Sequence, residues 1–253
     1  MSATPPRIEA YFVAGGRYHD IDFARCRLLN LLGEHPNIRA RLAESYNDID
    51  AIEKADFLLT YTVDLAPDEA TAQRLHDWIA SGRRWFALHG TNSTLKWSKQ
   101  DKAWAAPRNA PVFMQTLGSQ FLAHPPIAPY TVEVTRGDDP LVAGISPFMA
   151  DDELYLSELH PPIDVLLHTR WAGTASLFVD SDWTDDAIRP VMYRKRIERG
   201  EVLYFTLGHA RGHYDMRPLM EYYPQIERGS WDTPQFIELL RRGLRWAMDQ
   251  GRT

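Results

Sequence analysis

Residues 85–91 read Trp-Phe-Ala-Leu-His-Gly-Thr, a short apolar run that turns polar at His89 and Gly90. A run of this length followed by a glycine is typical of a buried strand that ends in a sharp turn. Open α/β sheets bind their ligands beyond the carboxyl ends of the strands. His89 is therefore predicted to lie where such a sheet would hold a ligand.

The segments on either side of this run alternate between strand-like and helix-like patterns. Strands are predicted over residues 8–14, 37–42, 55–61, 85–88, 130–135, 165–169, 190–195 and 201–207, and helices over 22–32, 67–81, 112–121 and 233–249. Alternation of this kind in the first half indicates parallel β-α-β units. Residues 197–200 are predicted to join the last two strands as a hairpin. The 253 residues are interpreted as one α/β domain, 1–253.

Three further histidines follow apolar runs: His19, His124 and His209. If the strands before them are parallel neighbours of the strand before His89, all four imidazoles can face one crevice. An imidazole near its reference pKa of about 6.5 can accept or donate a proton at neutral pH, and it can also bind a metal. The set indicates a functional site more strongly than any one histidine does.

Charge and hydropathy exclude several classes of protein. The formal net charge is −6, and the basic residues are interleaved with acidic ones, which argues against nucleic-acid binding. No apolar stretch approaches the roughly 18 residues of a membrane span, and residues 1–6 lack the apolar centre of a signal peptide. The chain is expected to be cytoplasmic, without a membrane partner, and a homo-oligomer is possible.

Sequence motifs for nucleotide binding and for acyl transfer are missing. Gly15 and Gly16 end the first strand, where they serve either a tight turn or a ligand contact, but neither dinucleotide nor nucleoside-phosphate spacing follows. No G-x-S-x-G elbow occurs and no cysteine follows a strand. The only cysteine, Cys26, lies within a helical pattern and is predicted to be a buried thiol.

Carboxylates, aromatic residues and one more histidine complete the candidate set. Glu153 and Tyr155 lie in Asp-Glu-Leu-Tyr between two predicted strands, and such a carboxylate can orient an imidazole, complete a metal shell or solvate a loop. Residues 91–111 are interpreted as an excursion over the strand ends that carries Trp97 and Trp104. His213 follows His209 closely and is assigned to the rim of the site.

The order of these motifs resembles the ThuA-like, or trehalose-utilisation, family over residues 8–248. The resemblance rests on an ordered set of short motifs: Gly15-Gly16 with His19, Leu88-His89-Gly90, Leu117-Gly118 through His124-Pro125, Asp152-Glu153-Leu154-Tyr155, Gly200-Glu201-Val202 and Leu207-Gly208-His209. It implies a flavodoxin-like, class I glutamine-amidotransferase-like α/β fold, with a sheet flanked by helices plus an added hairpin and loop excursions. Two positions depart from the family pattern: Arg83-Arg84 precedes the strand before His89, and Ser119 replaces a glycine.

The resemblance also implies a role in bacterial sugar catabolism. His89 stands where amidotransferases carry their cysteine, so no amidotransferase activity is expected. The leading hypothesis is a lyase, hydrolase or isomerase of a keto-sugar or 3-keto-glycoside, with His89 as base, His209 as acid and Glu153 completing the catalytic set. The substrate-binding residues are predicted to be His19, His124, Tyr155, Trp97, Trp104 and His213.

Two alternatives remain open. A divalent metal among His19, His89, His124 and His209 could polarise a ketone, although these residues lack the close helical spacing that makes a metal motif specific. The chain could also be a noncatalytic carbohydrate-binding or assembly protein that retains an amidotransferase-like shell. In that case, sugars should bind equally well after the histidines are replaced.

Overall fold

Strand and helix boundaries follow the alternating pattern of the sequence through the first half of the chain. The computed structural model describes residues 6–249. The strands are β1 (Ile8–Gly16), β2 (Ile38–Ala43), β3 (Phe57–Val63), β4 (Arg84–Leu88), β5 (Lys96–Ser98), β6 (Ala103–Ala105), β7 (Ser119–Ala123), β8 (Ala128–Val134), β9 (Phe148–Asp152), β10 (Leu156–Leu159), β11 (Asp164–Arg170), β12 (Gly173–Thr174), β13 (Asp182–Trp183), β14 (Ile188–Ile197) and β15 (Gly200–Phe205). The helices are α1 (Ile21–Leu32), α2 (Ile49–Ile52), α3 (Glu69–Ala80), α4 (Pro111–Leu117) and α5 (Pro234–Met248). The ends of the predicted domain, 1–5 and 250–253, lie outside the described residues.

Among the described residues, nine strands form one sheet in the order β2-β1-β3-β4-β15-β14-β11-β8-β9. The first five of these are parallel, and the other four continue the sheet in antiparallel fashion. The parallel part has the flavodoxin-like arrangement, in which the first strand lies between the second and the third. The α/β fold class predicted from the sequence is confirmed.

Alternating side chains of the central strands enter two cores on opposite faces of the sheet. On β4, Phe86 and Leu88 pack in the core that contains α1 and α5, whereas Trp85 and Ala87 face the core that contains α2, α3 and α4. Because helices cover both faces, these strands are mostly apolar on both faces rather than at alternate positions only. The run that precedes His89 is therefore apolar throughout.

Glycine at the end of β1 is required by the close approach of β3. Gly16 has φ +116°, and a Cβ atom there would lie 1.8 Å from the carbonyl oxygen of Val63. A side chain cannot fit at this distance, so the glycine lets β1 and β3 remain paired up to the strand ends. The structural interpretation of this glycine accounts for it fully.

The middle of the chain differs from the sequence-based prediction. The helix predicted over 112–121 ends at Leu117, because Gly118 adopts φ +104° and terminates it. Residues 119–123 then form β7, which pairs antiparallel with β10 in a separate two-stranded sheet. The idea that His124 follows a parallel neighbour of β4 is therefore wrong.

Two smaller predictions concern the hairpin and Cys26. The hairpin is confirmed, because Ile197 pairs with Gly200 where β14 meets β15. The prediction for Cys26 is wrong: its side chain is exposed, since α1 buries Ala24, Leu28, Leu31 and Leu32 instead. Within residues 6–249, no helix combines the length and the apolar character that a membrane crossing requires.

Candidate functional site

Three strand ends of the large sheet carry the histidines of the site. His89 directly follows β4, His19 lies between β1 and α1, and His209 comes four residues after the end of β15. The strands β1, β3, β4 and β15 are consecutive parallel neighbours, so their carboxyl ends meet at one edge. This arrangement brings together the histidines that the sequence predicted to converge there.

His89 lies in a strained turn. Its φ is +48°, a left-handed conformation that is uncommon for a residue with a side chain. The Tyr204 hydroxyl donates a hydrogen bond to the His89 carbonyl oxygen, and the Tyr61 ring stacks on the imidazole. At the next residue, a Cβ atom on Gly90 would lie 2.6 Å from Val63 Cγ2, so a glycine is needed for the turn to pack against β3.

His209 is positioned by a buried carboxylate. The Asp152 side chain accepts hydrogen bonds from the backbone N–H groups of Gly208 at 2.9 Å, His209 at 3.0 Å and Ser230 at 2.9 Å. Asp152 ends β9 and is completely buried. It thereby joins the segment after β15 to the short 3-10 turn Gly229–Asp232 and holds the backbone of His209 in place.

The next residue, Glu153, completes a compact cluster with the three histidines. Its carboxylate lies 3.1 Å from His209 Nδ1, 3.5 Å from His89 Nε2 and 3.7 Å from His19 Nε2. The His19 Nε2 atom is 2.8 Å from His89 Nε2 and 3.0 Å from His209 Nδ1. One ligand atom from each of the four residues lies within 4.8 Å of all the others. We call these four residues the imidazole–carboxylate cluster.

The cluster shifts the proton affinities of its own members. Burial lowers the pKa of both His19 and His89, and that of His89 lies well below its usual value. Burial would also lower the pKa of His209, but the Glu153 and Glu227 carboxylates outweigh it and raise that pKa to about 9. Burial raises the pKa of Glu153, but His209 and His124 outweigh it and hold that pKa well below its ordinary value. Near pH 7 these shifts favour a protonated His209 beside an ionised Glu153, with His19 and His89 neutral.

A cavity of about 310 Å³ opens above the cluster, within the size range of small-molecule sites. Its polar lining comes from His19, Ser93, His124, Glu153, Arg211 and Glu227, and its aromatic lining comes from Tyr18, Trp104, Phe121, Tyr155, Phe178 and Tyr223. His89 and His209 are fully buried and do not line it. The members of the cluster that face the cavity are therefore His19 and Glu153.

The other predicted site residues fall into two groups. Tyr155, Trp104 and His124 line the cavity, and Tyr155 also places its hydroxyl 3.2 Å from His89 Nε2. His124 comes from the end of β7 and lies with Nε2 3.7 Å from Glu153 Oε1. Trp97 and His213 are exposed and lie outside the lining, although Trp97 packs edge-on against Trp104.

Glu227 contacts the cluster and was not among the residues predicted from the sequence, and neither were the cavity-lining Tyr18, Phe178 and Tyr223. The Glu227 Oε2 atom lies 2.7 Å from His209 Nε2, and it also forms an ion pair with Arg211. The backbones of Arg211 and Glu227 form a β-bridge that returns the chain over His209. Residues 222–231 have no periodic pattern, so the only available signal was an acidic residue in a loop.

Fold and site together define an α/β protein of flavodoxin-like strand order, with a histidine-rich cluster beneath an aromatic cavity. The sequence model of the ThuA family, described as trehalose utilisation, matches residues 14–223, and the chain belongs to this family. The resemblance inferred from the short motifs is confirmed, and with it a carbohydrate-related role.

Solved structures share the fold at low sequence identity. A ThuA-like protein from Bacteroides uniformis has a TM-score of 0.68 and 15% identity, covering 98% of this chain and 94% of that one. A ThuA-like protein from Parabacteroides merdae has a TM-score of 0.61 and 14% identity, and the match covers 96% of this chain and 90% of that one. A β-galactosidase from Rahnella sp. R3 has a TM-score of 0.56 and 12% identity, and the match covers 96% of this chain and 31% of that one. No curated protein matches this chain in sequence.

Proposed function

We propose that this protein is an enzyme that converts a keto-sugar or 3-keto-glycoside in the cavity above the imidazole–carboxylate cluster. The observation that carries the proposal is the pair His19 and Glu153, which face an aromatic-lined cavity and are joined to two further histidines behind its wall. The carbohydrate role of the family supports the substrate class.

A ketone at C3 of a glycoside makes the neighbouring C2–H bond acidic, which suits catalysis by imidazole. The base takes the C2 proton, the C1–O bond breaks, a C1=C2 double bond forms, and an acid protonates the departing oxygen. Addition of water across the double bond then gives the free keto-sugar. This sequence accounts for elimination and hydrolysis by the same site. Removal of the C2 proton, followed by its return to C3 or to the opposite face of C2, accounts for isomerisation.

The placement of the side chains revises the roles inferred from the sequence. His19 faces the cavity, and its lowered pKa keeps it neutral and able to accept a proton near pH 7. His89 and His209 lie behind it, so we assign them to tuning and positioning His19 and Glu153. His124 Nδ1 lies 2.7 Å from the Pro125 carbonyl oxygen and donates to it. We assign Nε2, which lies 3.7 Å from Glu153 Oε1, to contact with a substrate hydroxyl.

The test is to incubate the protein with oxidised and unoxidised glycosides and to follow the products by NMR. We expect conversion of the 3-keto compounds only, and loss of that conversion in His19→Asn. Conversion of neither class would overturn the proposal. Equal sugar binding by the wild type and His19→Asn, without any product, would instead establish the noncatalytic carbohydrate-binding alternative.

A further inference from the structure

The hydrogen-bond partners on the outside of the cluster determine which ring nitrogens of His89 and His209 carry hydrogen. His89 Nδ1 lies 2.7 Å from the Thr206 carbonyl oxygen, which can only accept, so Nδ1 is the donor. His209 Nε2 lies 2.7 Å from the Glu227 carboxylate and donates to it. In the neutral rings, His89 Nε2 and His209 Nδ1 therefore point lone pairs into the cluster. Backbone carbonyls and carboxylates hold metal-binding histidines in this same way.

The inward-facing atoms lie close together, with one ligand atom from each residue within 4.8 Å of the other three. Five of their separations lie between 2.8 and 3.7 Å: His19 Nε2 to the inward nitrogens of His89 and His209, and the Glu153 oxygens to all three nitrogens. A metal held at about 2.0–2.2 Å by four tetrahedral donors places them roughly 3.3–3.6 Å apart. The observed spacings bracket that value, and the Glu153 contacts to His19 and His89 are too long to be hydrogen bonds.

The type of donor selects the class of ion. Three imidazole nitrogens with one carboxylate oxygen favour first-row transition metals, whereas Ca²⁺ and Mg²⁺ prefer oxygen ligands alone. His19 and Glu153 also line the cavity, so a fifth coordination position would open toward a substrate. Such an ion would polarise a ketone oxygen there.

We infer that His19, His89, His209 and Glu153 bind one divalent first-row transition-metal ion. This ligand set differs from the one considered from the sequence, because Glu153 replaces His124 as the fourth ligand. The inference deepens the proposed function. With the ion bound, His19 Nε2 would be a ligand and not the base, and the ion would acidify the C2 proton by polarising the ketone at C3. Only this catalytic role of the ion rests on the proposed function. Binding of the ion can be measured without any substrate.

The test begins with chelator-treated full-length protein titrated with Zn²⁺ by calorimetry in the presence of a competing chelator. We expect one ion per chain in the wild type. Removal of a residue that hydrogen-bonds to a metal ligand lowers metal affinity about 10–100-fold. Removal of a ligand itself, in His19→Ala or Glu153→Gln, should lower the Zn²⁺ affinity by more than that. His35→Ala is the matched control, because His35 lies between α1 and β2 at the opposite end of the sheet. It should bind Zn²⁺ like the wild type.

X-ray absorption spectroscopy of the Zn²⁺-loaded wild type identifies the donor atoms around the metal. It tests the inference even if a ligand variant fails to fold. We expect scattering from three imidazoles and one oxygen donor at the metal. No stoichiometric binding, a spectrum with fewer than two imidazoles, or wild-type affinity in both ligand variants would overturn the inference. Conversion of a 3-keto-glycoside by metal-free protein would overturn the catalytic role of the ion while leaving the proposed function standing. Zn²⁺ binding without conversion of any glycoside would overturn the proposed function while leaving the metal site standing.

Discussion

His19 and His89 face each other through their Nε2 atoms at 2.8 Å, although 70 residues separate them along the chain. The contact links a residue that lines the cavity to one that is fully buried behind it. A change to the fully buried His89 ring can therefore reach the cavity through His19.

This contact predicts that the two histidines act as one unit. Each of His19→Asn and His89→Asn should lower kcat/KM on a 3-keto-glycoside by about 10²–10⁴-fold. The kcat/KM of the double variant should be no lower than that of the less active single variant, because the effects of substituting residues that act as a unit are strongly non-additive. The measurement is kcat/KM for all three, with His35→Ala as the control. Losses that multiply in the double variant would show independent roles.

Asp152 should be essential for stability because its carboxylate accepts four buried backbone hydrogen bonds. In Asp152→Asn, an amide NH₂ replaces one acceptor oxygen and the negative charge is lost, so at least one backbone donor is left unpaired. We expect the free energy of unfolding to fall by about 2–4 kcal/mol. Urea denaturation measures it, and the exposed neighbour in Asp151→Asn is a control for the same chemical change. Equal stability of the two variants would contradict the prediction.

Glu227 is expected to act by orienting His209 from outside the cluster. Glu227→Gln keeps an oxygen near His209 Nε2 but removes the charge that accepts its hydrogen bond. Zn²⁺ affinity should fall about 10–100-fold, with the unfolding free energy little changed. The exposed Glu221→Gln is the matched control and should behave like the wild type. Unchanged affinity together with an unchanged imidazole NMR signal of His209 would remove Glu227 from the site.

The two tryptophans of the excursion should differ in their effect on sugar binding. Trp104 lines the cavity, whereas Trp97 is exposed and packs edge-on against the Trp104 ring. Trp104→Ala should weaken binding of a keto-glycoside by roughly 10-fold, from the loss of an aromatic contact surface. Trp97→Ala should have a smaller effect, through the support it gives to Trp104. Calorimetric titration of both variants checks the order, and a larger loss in Trp97→Ala would reverse the assignment.

Much of the fold followed from local patterns. The apolar runs that became β1, β3, β4 and β15 were recognisable because helices cover both faces of a parallel sheet. Residues 118–123 were less accessible, because Gly118 ends α4 early and the residues after it form β7, which pairs with the distant β10. A short apolar segment does not specify which distant strand it will meet.

The sequence by itself determined that histidines follow the strands of an α/β sheet, because strand periodicity and the turn after each strand are local properties. It also supplied Glu153, Tyr155 and Trp104 as candidates. Only the tertiary structure decided that His89 and His209 lie behind the cavity wall while His19 faces it. It alone placed Glu227 on His209 and joined the four ligand atoms of the cluster. These relationships depend on the direction of side chains from segments far apart in the chain, which the packing of the whole sheet sets.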